Sequence, residues 1–160
     1  MKAPSRAATS LCPPIGRLDE DSRGLLMVSS DGVVAKAVIG PESDLDKEYM
    51  VRVEGQISQG KLDRLCHGLE LDGRKLRPAK VRLIRGQDLK FILREGRKRQ
   101  IRRMCELVGL EVVDLFRTRI GPIRLDGLKE GQWRHLTPEE RQALLTYKVE
   151  APLIRPSVQR

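Results

Sequence analysis

Aromatic residues are scarce in this sequence of 160 residues, which has one Trp, two Tyr and two Phe. An aromatic side chain in a functional site must therefore be one of very few, and this draws attention to Tyr49. Histidine is equally scarce, with two residues in the whole sequence. At their spacing, these histidines and the three cysteines do not make a convincing zinc site, so we expect no metal.

The three cysteines, Cys12, Cys66 and Cys105, include no CxxC pair. An odd number of widely spaced cysteines suits a reducing compartment better than a secreted disulfide framework. The N-terminal segment lacks the apolar core of a signal peptide, and no apolar run approaches the ~20 residues that cross a bilayer. The sequence therefore predicts a cytoplasmic protein with no membrane association.

Basic residues are in excess, with 31 Lys and Arg against 22 Asp and Glu, which gives a formal net charge of +9. Such an excess favours a polyanionic partner whose binding weakens as salt rises, although solubility alone would also explain it. Local clustering favours the first interpretation, because six of the ten residues at 94–103 are basic. We therefore expect the partner to be a nucleic acid.

Hydrophobic periodicity predicts a single α+β domain. Alternating apolar residues indicate strands, and apolar residues at i, i+3, i+4 and i+7 indicate a helix that begins at Gln100. Because strands outnumber helices and adjoin one another in sequence, we expect a mainly antiparallel mixed sheet with helices packed on it. The predicted strands cover residues 25–30, 47–53, 79–84, 89–93 and 111–119, and the predicted helices cover residues 33–39, 61–69, 100–108 and 138–147.

Helix ends are marked by capping residues at several points. Asp31 is placed to cap the first predicted helix, and Gly109 is placed to end the third. Thr137, followed by Pro138 and by Glu140 at the third helical position, predicts a capping box at the start of the last helix.

Two stretches of the sequence have complementary chemistry. At residues 16–26 a glycine-punctuated acidic turn runs into an apolar segment, which places carboxylates at the mouth of a predicted strand. The basic stretch at residues 94–103 offers cations. The acidic turn reads Gly16-Arg17-Leu18-Asp19-Glu20-Asp21-Ser22-Arg23-Gly24-Leu25-Leu26.

This turn resembles the catalytic motif of pseudouridine synthases at every fixed position: Gly-Arg-Leu-Asp, two residues, Thr or Ser, one residue, then Gly-Leu-Leu. The segment Lys47-Glu48-Tyr49 resembles the family's tyrosine motif, and residues 95–104 resemble its third motif. The third motif, with Gly121 and residues 133–137 beyond it, is similar to the ribosomal RNA branch, the RsuA/RluB/RluE/RluF group, and closest to the RluF type. The resemblance covers roughly residues 15–146.

The resemblance implies the pseudouridine synthase fold and the isomerisation of a uridine in RNA, which needs no cofactor because no atoms are gained or lost. Asp19 is implied as the nucleophile toward a flipped-out uridine, and Arg102 as the cation that keeps Asp19 ionised. Ile101 and Tyr49 are implied on opposite faces of the base, with Tyr49 also a candidate for proton transfer. Arg17 is implied against the RNA backbone or in the gap left by the base. We expect backbone contacts from Arg97, Lys98, Arg99 and Arg103.

We expect three segments: an irregular lead-in at residues 1–14, a catalytic domain at 15–148 and a tail at 149–160. The resemblance also implies a strand with an Asn-Lys-Pro motif before the turn and an N-terminal S4 RNA-binding domain, neither of which is visible in this sequence. We therefore expect a core that is one strand short. The chain would then be a fragment, an alternative start, or a trimmed enzyme whose catalytic domain alone binds RNA.

Two other functions remain open. Asp19, Glu20 and Asp21 beside a basic surface suit a Mg²⁺-dependent nuclease. An incomplete core suits an inactive RNA-binding or ribosome-assembly protein. For an active enzyme we expect a monomer acting on ribosomal RNA, with the large subunit favoured and a tRNA stem-loop open as an alternative. We interpret Glu20, Asp21 and Asp31 as caps and surface charges, and both histidines and the cysteines as structural.

Overall fold

A six-stranded sheet forms the centre of the protein in the computed structural model, which describes residues 12–40 and 43–147. Its strand order is β10-β9-β4-β8-β7, and β2 adds a parallel pairing to β9, whereas the other pairs are antiparallel. The α+β prediction with a mainly antiparallel mixed sheet is therefore confirmed. Within the described residues the elements are β1 (Pro14–Ile15), β2 (Arg23–Gly24), β3 (Met27–Val28), α1 (Gly32–Ile39), β4 (Lys47–Glu54), α2 (Gln59–Cys66), β5 (Glu70–Leu71), β6 (Arg74–Lys75), β7 (Lys80–Arg85), β8 (Asp88–Leu93), α3 (Gln100–Leu107), β9 (Glu111–Ile120), β10 (Ile123–Arg124) and α4 (Pro138–Leu145).

The larger hydrophobic core packs α2 and α3 against the central strands. In β4 and β8 alternate residues are buried, as the period of two predicts for a strand with one covered face. Phe91 and Leu89 of β8 are fully buried, and each such side chain stabilises the fold by about 2 kcal/mol. The apolar face of α3 contributes Ile101, Met104 and Cys105, which confirms the helical spacing predicted from the sequence.

A second, smaller core lies around α1, α4 and the far end of β9. Val34 and Val38 of α1 are buried there with Leu144 of α4 and Ile120 of β9. The two cores are built on the same long strand, because Leu115 of β9 belongs to the larger one. The turn at 16–22 lies beside this smaller core.

The predicted helix ends are confirmed by hydrogen bonds and backbone angles. The Asp31 carboxylate accepts a bond of 2.9 Å from the Val33 amide at the start of α1. Gly109 follows α3 with a φ of +79°, as an αL residue after a helix requires. Thr137 and Glu140 form both hydrogen bonds of the capping box, each 3.0 Å long.

Several predicted boundaries are wrong. The single strand expected at 25–30 is two short strands with different partners, because Gly24 pairs with β9 while Met27 pairs with β1. Pro14, the last residue of the expected lead-in, pairs in β1 directly before the turn. The helix expected at 61–69 is α2, which begins earlier because the Ser58 hydroxyl caps it and ends at Cys66.

Two of the predicted segments fall mainly outside the described residues. These are most of the lead-in at 1–14 and the tail at 149–160, together with residue 148 at the predicted end of the catalytic domain. The bounds of the three segments therefore remain predictions.

Candidate active site

A cavity of about 360 Å³ opens between the two hydrophobic cores. Its walls come from the turn at 16–22, the end of α1, strands β4 and β9, and the segment from 95 to the start of α3. Most of the site residues predicted from the sequence line it, and Arg103 is not among them. The predicted residues on its wall are Arg17, Asp19, Tyr49, Arg97, Lys98, Arg99, Ile101 and Arg102.

Asp19 lies in the turn between β1 and β2. Its carbonyl accepts a hydrogen bond of 2.9 Å from the Ser22 amide, which closes the turn. Its side chain is one-quarter exposed and forms an ion pair of 3.8 Å with the highly exposed Arg17. The carboxylate is therefore accessible from the cavity and only loosely paired, as a nucleophile requires.

The turn is fastened to β9 on both of its sides. The Arg117 guanidinium donates through Nε to the Leu25 carbonyl at 2.8 Å and through Nη1 to the Arg17 carbonyl at 3.5 Å. Gly24 lies so close to Arg117 that a Cβ atom would overlap its backbone. The parallel pairing of β2 with β9 therefore requires glycine here, and it holds Asp19 beside the sheet.

Arg102 does not pair with Asp19, as was expected, but with Asp21. Its Nη2 donates to the Asp21 carbonyl at 2.7 Å, and its Nε lies 3.5 Å from the Asp21 carboxylate. Arg99 donates two bonds to the same carboxylate, at 3.0 and 2.9 Å. These bonds from Arg99 hold the pKa of Asp21 below its usual range. We call Asp21, Arg99 and Arg102 the arginine clip.

Tyr49 and Ile101 face the cavity from opposite elements, the sheet and α3. Both are buried, with exposed fractions of 9% and 4%. The Tyr49 hydroxyl forms no hydrogen bond with any described residue. In the β4–β9 ladder Tyr49 pairs with Arg117, and a bulge at Thr118 sets this register.

Of the other basic residues expected to contact RNA, some are bound to groups of the protein and one is exposed at the cavity. Arg97, expected on RNA, instead donates to the carbonyls of Leu71 and Lys75 at 3.0 and 2.8 Å, so its guanidinium braces the β5–β6 hairpin. Arg103 binds the Asp72 carboxylate at 2.9 Å, outside the cavity. Lys98 is exposed at the cavity rim.

Comparison with known proteins decides the family. A sequence model described as RNA pseudouridylate synthase matches residues 2–107. The chain belongs to this family. Ribosomal large subunit pseudouridine synthase B of Bacillus subtilis is 38% identical over 137 residues, which are 82% of this chain and 56% of that protein. The dual-specificity RNA pseudouridine synthase RluF of Escherichia coli K12 is 38% identical over 127 residues, covering 79% and 44% of the two chains.

The fold comparison agrees with the family. A crystal structure of a pseudouridylate synthase superposes with a TM-score of 0.83 at 29% identity, covering 88% of this chain and 62% of that one. The chain spans about half the length of the curated relatives it matches. Among the described residues of this pseudouridine synthase family member, no helix is both long and apolar enough to cross a membrane.

Three residues at the site of this family member escaped the sequence reasoning: Asp21, Lys47 and Arg117. Asp21 was interpreted as a surface charge or, in the nuclease alternative, as a Mg²⁺ ligand, and not as the partner of the basic stretch. Lys47 was interpreted only as part of the tyrosine motif. Arg117 gave no signal at all, because a basic residue in a predicted strand is ordinarily solvated.

Proposed function

We propose that this chain is an RNA pseudouridine synthase that isomerises a uridine with Asp19 as nucleophile. The observation that carries the proposal is the convergence of Asp19, Tyr49 and Ile101 on one cavity large enough for a base. The family to which the chain belongs supports the same chemistry. The basic rim of the cavity supports a polyanionic substrate.

The reaction is an internal transfer of ribose from N1 to C5 of the same uracil. Attack of an Asp19 oxygen on C1′ expels the base, the base turns, and C5 then displaces Asp19 from C1′. C5 loses a proton and N1 gains one, so no atoms enter or leave. The Tyr49 hydroxyl, free of partners within the described chain, is our candidate for that proton transfer.

The base must leave its stack before Asp19 can reach C1′. Extrusion costs a few kcal/mol, which contacts in the cavity offset. Ile101 and the Tyr49 ring supply these contacts from α3 and the sheet. We assign Arg17, which is 70% exposed, to the RNA backbone or to the space that the base vacates.

We propose ribosomal RNA, and within it the large subunit, as the substrate. The support is the similarity to ribosomal large subunit pseudouridine synthase B of Bacillus subtilis. A tRNA stem-loop is the alternative substrate, and we propose that the enzyme acts as a monomer in the cytoplasm. The described residues provide Lys98 at the cavity rim for backbone contacts that weaken as salt rises.

The nuclease alternative has weaker support. Both carboxylate oxygens of Asp21 are engaged by Arg99. Within the described residues, no group of three or more His, Cys, Asp or Glu side chains is arranged to hold a metal ion. A nuclease of the expected kind would need Asp21 free to share a Mg²⁺ ion with Asp19.

The first experiment is tritium release from ribosomal RNA that carries [5-³H]uridine, in the presence of EDTA. We expect the parent chain to release tritium and Asp19→Asn to release none, because the amide cannot act as a nucleophile. Glu20→Gln, which changes a neighbouring exposed carboxylate, is the matched control and should retain the parent rate.

Two results would contradict the proposal. Release that requires Mg²⁺ would favour metal-assisted chemistry. RNA binding without release by the parent would identify an RNA-binding relative, the other function that the sequence leaves open. A tRNA transcript assayed beside the ribosomal RNA decides between the two substrates.

A further inference from the structure

Two basic side chains on the sheet side of the cavity have no anionic partner among the described residues. Lys47 and Arg117 both line the cavity that holds Asp19. The ladder pairs Tyr49 with Arg117, and Lys47 lies two residues before Tyr49, so all three side chains project from one face of the sheet. We call Lys47, Tyr49 and Arg117 the cavity floor.

Arg117 is a buried cation with an unused donor. Its exposed fraction is 4%, and its Nε and Nη1 atoms are held by the carbonyls of Leu25 and Arg17. Its Nη2 atom is buried and has no hydrogen-bond partner in the described part of the chain. Buried donors of this kind are rare in folded proteins, because each one loses its hydration without compensation.

Lys47 adds a second positive charge beside the first. It forms no ion pair within the described residues, and burial together with the nearby Arg117 guanidinium lowers its pKa. The Asp46 carboxylate opposes this shift only partly, and it is itself bound by Arg119 at 2.8 Å. The carboxylates that share the cavity do not compensate. Glu95 is engaged by Arg97 at 3.6 Å, and Asp19, which Arg17 pairs only loosely at 3.8 Å, forms no ion pair with Lys47 or Arg117. Two adjacent cations that no described carboxylate binds make the floor a site for an anion.

We propose that Lys47 and Arg117 bind the uracil ring while it carries negative charge, after it leaves C1′ and before C5 returns to it. This inference rests on the proposed function. When the C1′–N1 bond breaks, its electron pair stays on the base, and the charge spreads over N1 and the two carbonyl oxygens. Fixed cations that meet charge as it develops are the strongest form of electrostatic catalysis. Asp19 takes C1′, and the floor holds the anion until the new bond forms.

Binding of small rings tests the site without requiring turnover. Barbiturate is a uracil-like ring that is already anionic at neutral pH, whereas uracil is neutral. We expect barbiturate to bind the parent chain at least about tenfold more tightly than Lys47→Met, as the loss of one charge-assisted hydrogen bond predicts. Uracil should bind both proteins alike. Equal affinity of barbiturate for the parent and Lys47→Met would overturn the inference.

Leaving-group dependence tests the same site during turnover. The 5-fluorouracil anion is a weaker base than the uracil anion, so its departure from C1′ requires less stabilisation by the protein. Because fluorine at C5 replaces the proton that is lost last, the comparison is made on breakage of the C1′–N1 bond. In single-turnover reactions with a ribosomal RNA transcript, we expect Lys47→Met to slow this breakage about 100-fold for uridine and about tenfold for 5-fluorouridine. Equal slowing on both transcripts would show that Lys47 does not stabilise the leaving base. Lys80→Gln, on the exposed surface of β7, is the control and should match the parent.

Thermal unfolding separates this role from a structural one. Removing the half-buried Lys47 charge beside the buried Arg117 relieves repulsion, so Lys47→Met should unfold at the same or a higher temperature than the parent. A marked fall in melting temperature, with barbiturate binding lost, would assign Lys47 to the fold instead; Lys47→Gln then repeats the ring-binding comparison. Inactivity of the parent with barbiturate binding intact would reject the proposed function and keep the anion site.

Discussion

The arginine clip and the cavity floor use the same chemical groups in opposite ways. In the clip, Arg99 and Arg102 converge on the single carboxylate of Asp21, and every charge has a partner. On the floor, Lys47 and Arg117 lie together, and no carboxylate of the described residues binds either of them. A paired cation stabilises the local structure, whereas an unpaired one is available to a ligand. The arrangement of partners, more than the number of basic residues, therefore distinguishes positioning from binding.

Both regions hold Asp19, but from different sides. The clip ties the segment after Asp19 to the start of α3, and the floor ties the turn to β9 through Arg117. If the comparison is right, substitutions of Lys47 or Tyr49 on the floor, which form no hydrogen bond with the turn, should reduce turnover without loosening the fold. Substitutions in the clip should alter both the geometry of the turn and the number of cations available to RNA.

Tyr49→Phe, on the floor, should give the largest loss of turnover among these substitutions, with no loss of stability. The ring remains packed, and the lost hydroxyl has no partner among the described residues, so the melting temperature should stay near that of the parent. Turnover should fall by about 10² to 10⁴, the range for losing a general acid or base. Tritium release and thermal unfolding measure the two quantities. A melting temperature that falls in step with activity would make the floor structural and end the contrast.

Asp21→Asn, in the arginine clip, should lower turnover less than Tyr49→Phe does. Unlike a substitution on the floor, it should also change the affinity for RNA. Without the carboxylate, Arg99 loses its ion pair and one of its two hydrogen bonds, and the tie between the turn and α3 then rests on the bonds from Arg102 to the Asp21 carbonyl and the Ser22 hydroxyl. We expect turnover to fall about 10- to 100-fold, as a displaced catalytic group predicts. RNA binding should tighten, with a steeper dependence on salt, because a cation is freed. Filter binding at several salt concentrations would show this, and weaker binding would contradict it.

Glu140→Gln should give the smallest effect and calibrates what a paired charge contributes away from the cavity. The Arg134 guanidinium binds Glu140 at 2.6 and 2.8 Å and lowers its pKa to about 2. A lowered carboxyl pKa stabilises the folded state above the usual value of 4.5, and this contribution fades as pH falls toward 2. For a solvent-screened pair we expect about 0.5 kcal/mol at neutral pH.

Thermal unfolding from pH 7 to pH 2 measures this contribution. The curves for the parent and Glu140→Gln should converge as the pH falls, and tritium release at neutral pH should be equal. A difference in stability that persists at pH 2 would assign the effect to the capping hydrogen bonds instead.

Much of the fold followed from local sequence patterns. The period of two in β4 and β8, the spacing of apolar residues in α3 and the capping box before α4 are each written within a few residues, so they could be read directly. Asp19 and Tyr49 were placed in the site by motif, and the structure brings them to one cavity. The sequence did not predict that two short strands replace the single strand expected at 25–30, because the β9 partner of Gly24 and the β1 partner of Met27 lie outside the segment.

The missed residues have a common cause. Arg117 lies two residues after Leu115 on the face of β9 that lines the cavity, and the bulge at Thr118, whose hydroxyl bonds to Glu48, then shifts the β4–β9 register so that Arg119 pairs with Glu48. A shift of one residue exchanges the two faces of a strand. No pattern within β9 announces the bulge, since it arises from its pairing with β4. The pairing of Arg102 with Asp21 instead of Asp19 likewise depends on how α3 approaches the turn.

The tie between the turn and β9 also determines when, during synthesis of the chain, Asp19 is held in place. Leu25 and Arg17 are held by Arg117, which lies 92 and 100 residues later in the chain. Contacts between such distant residues form late, and a chain emerges from the ribosome from its N-terminus onward. Asp19 is thus synthesised long before the strand that supports it. If the proposed function holds, we expect a nascent chain to become active toward RNA only after β9 has emerged and joined the sheet.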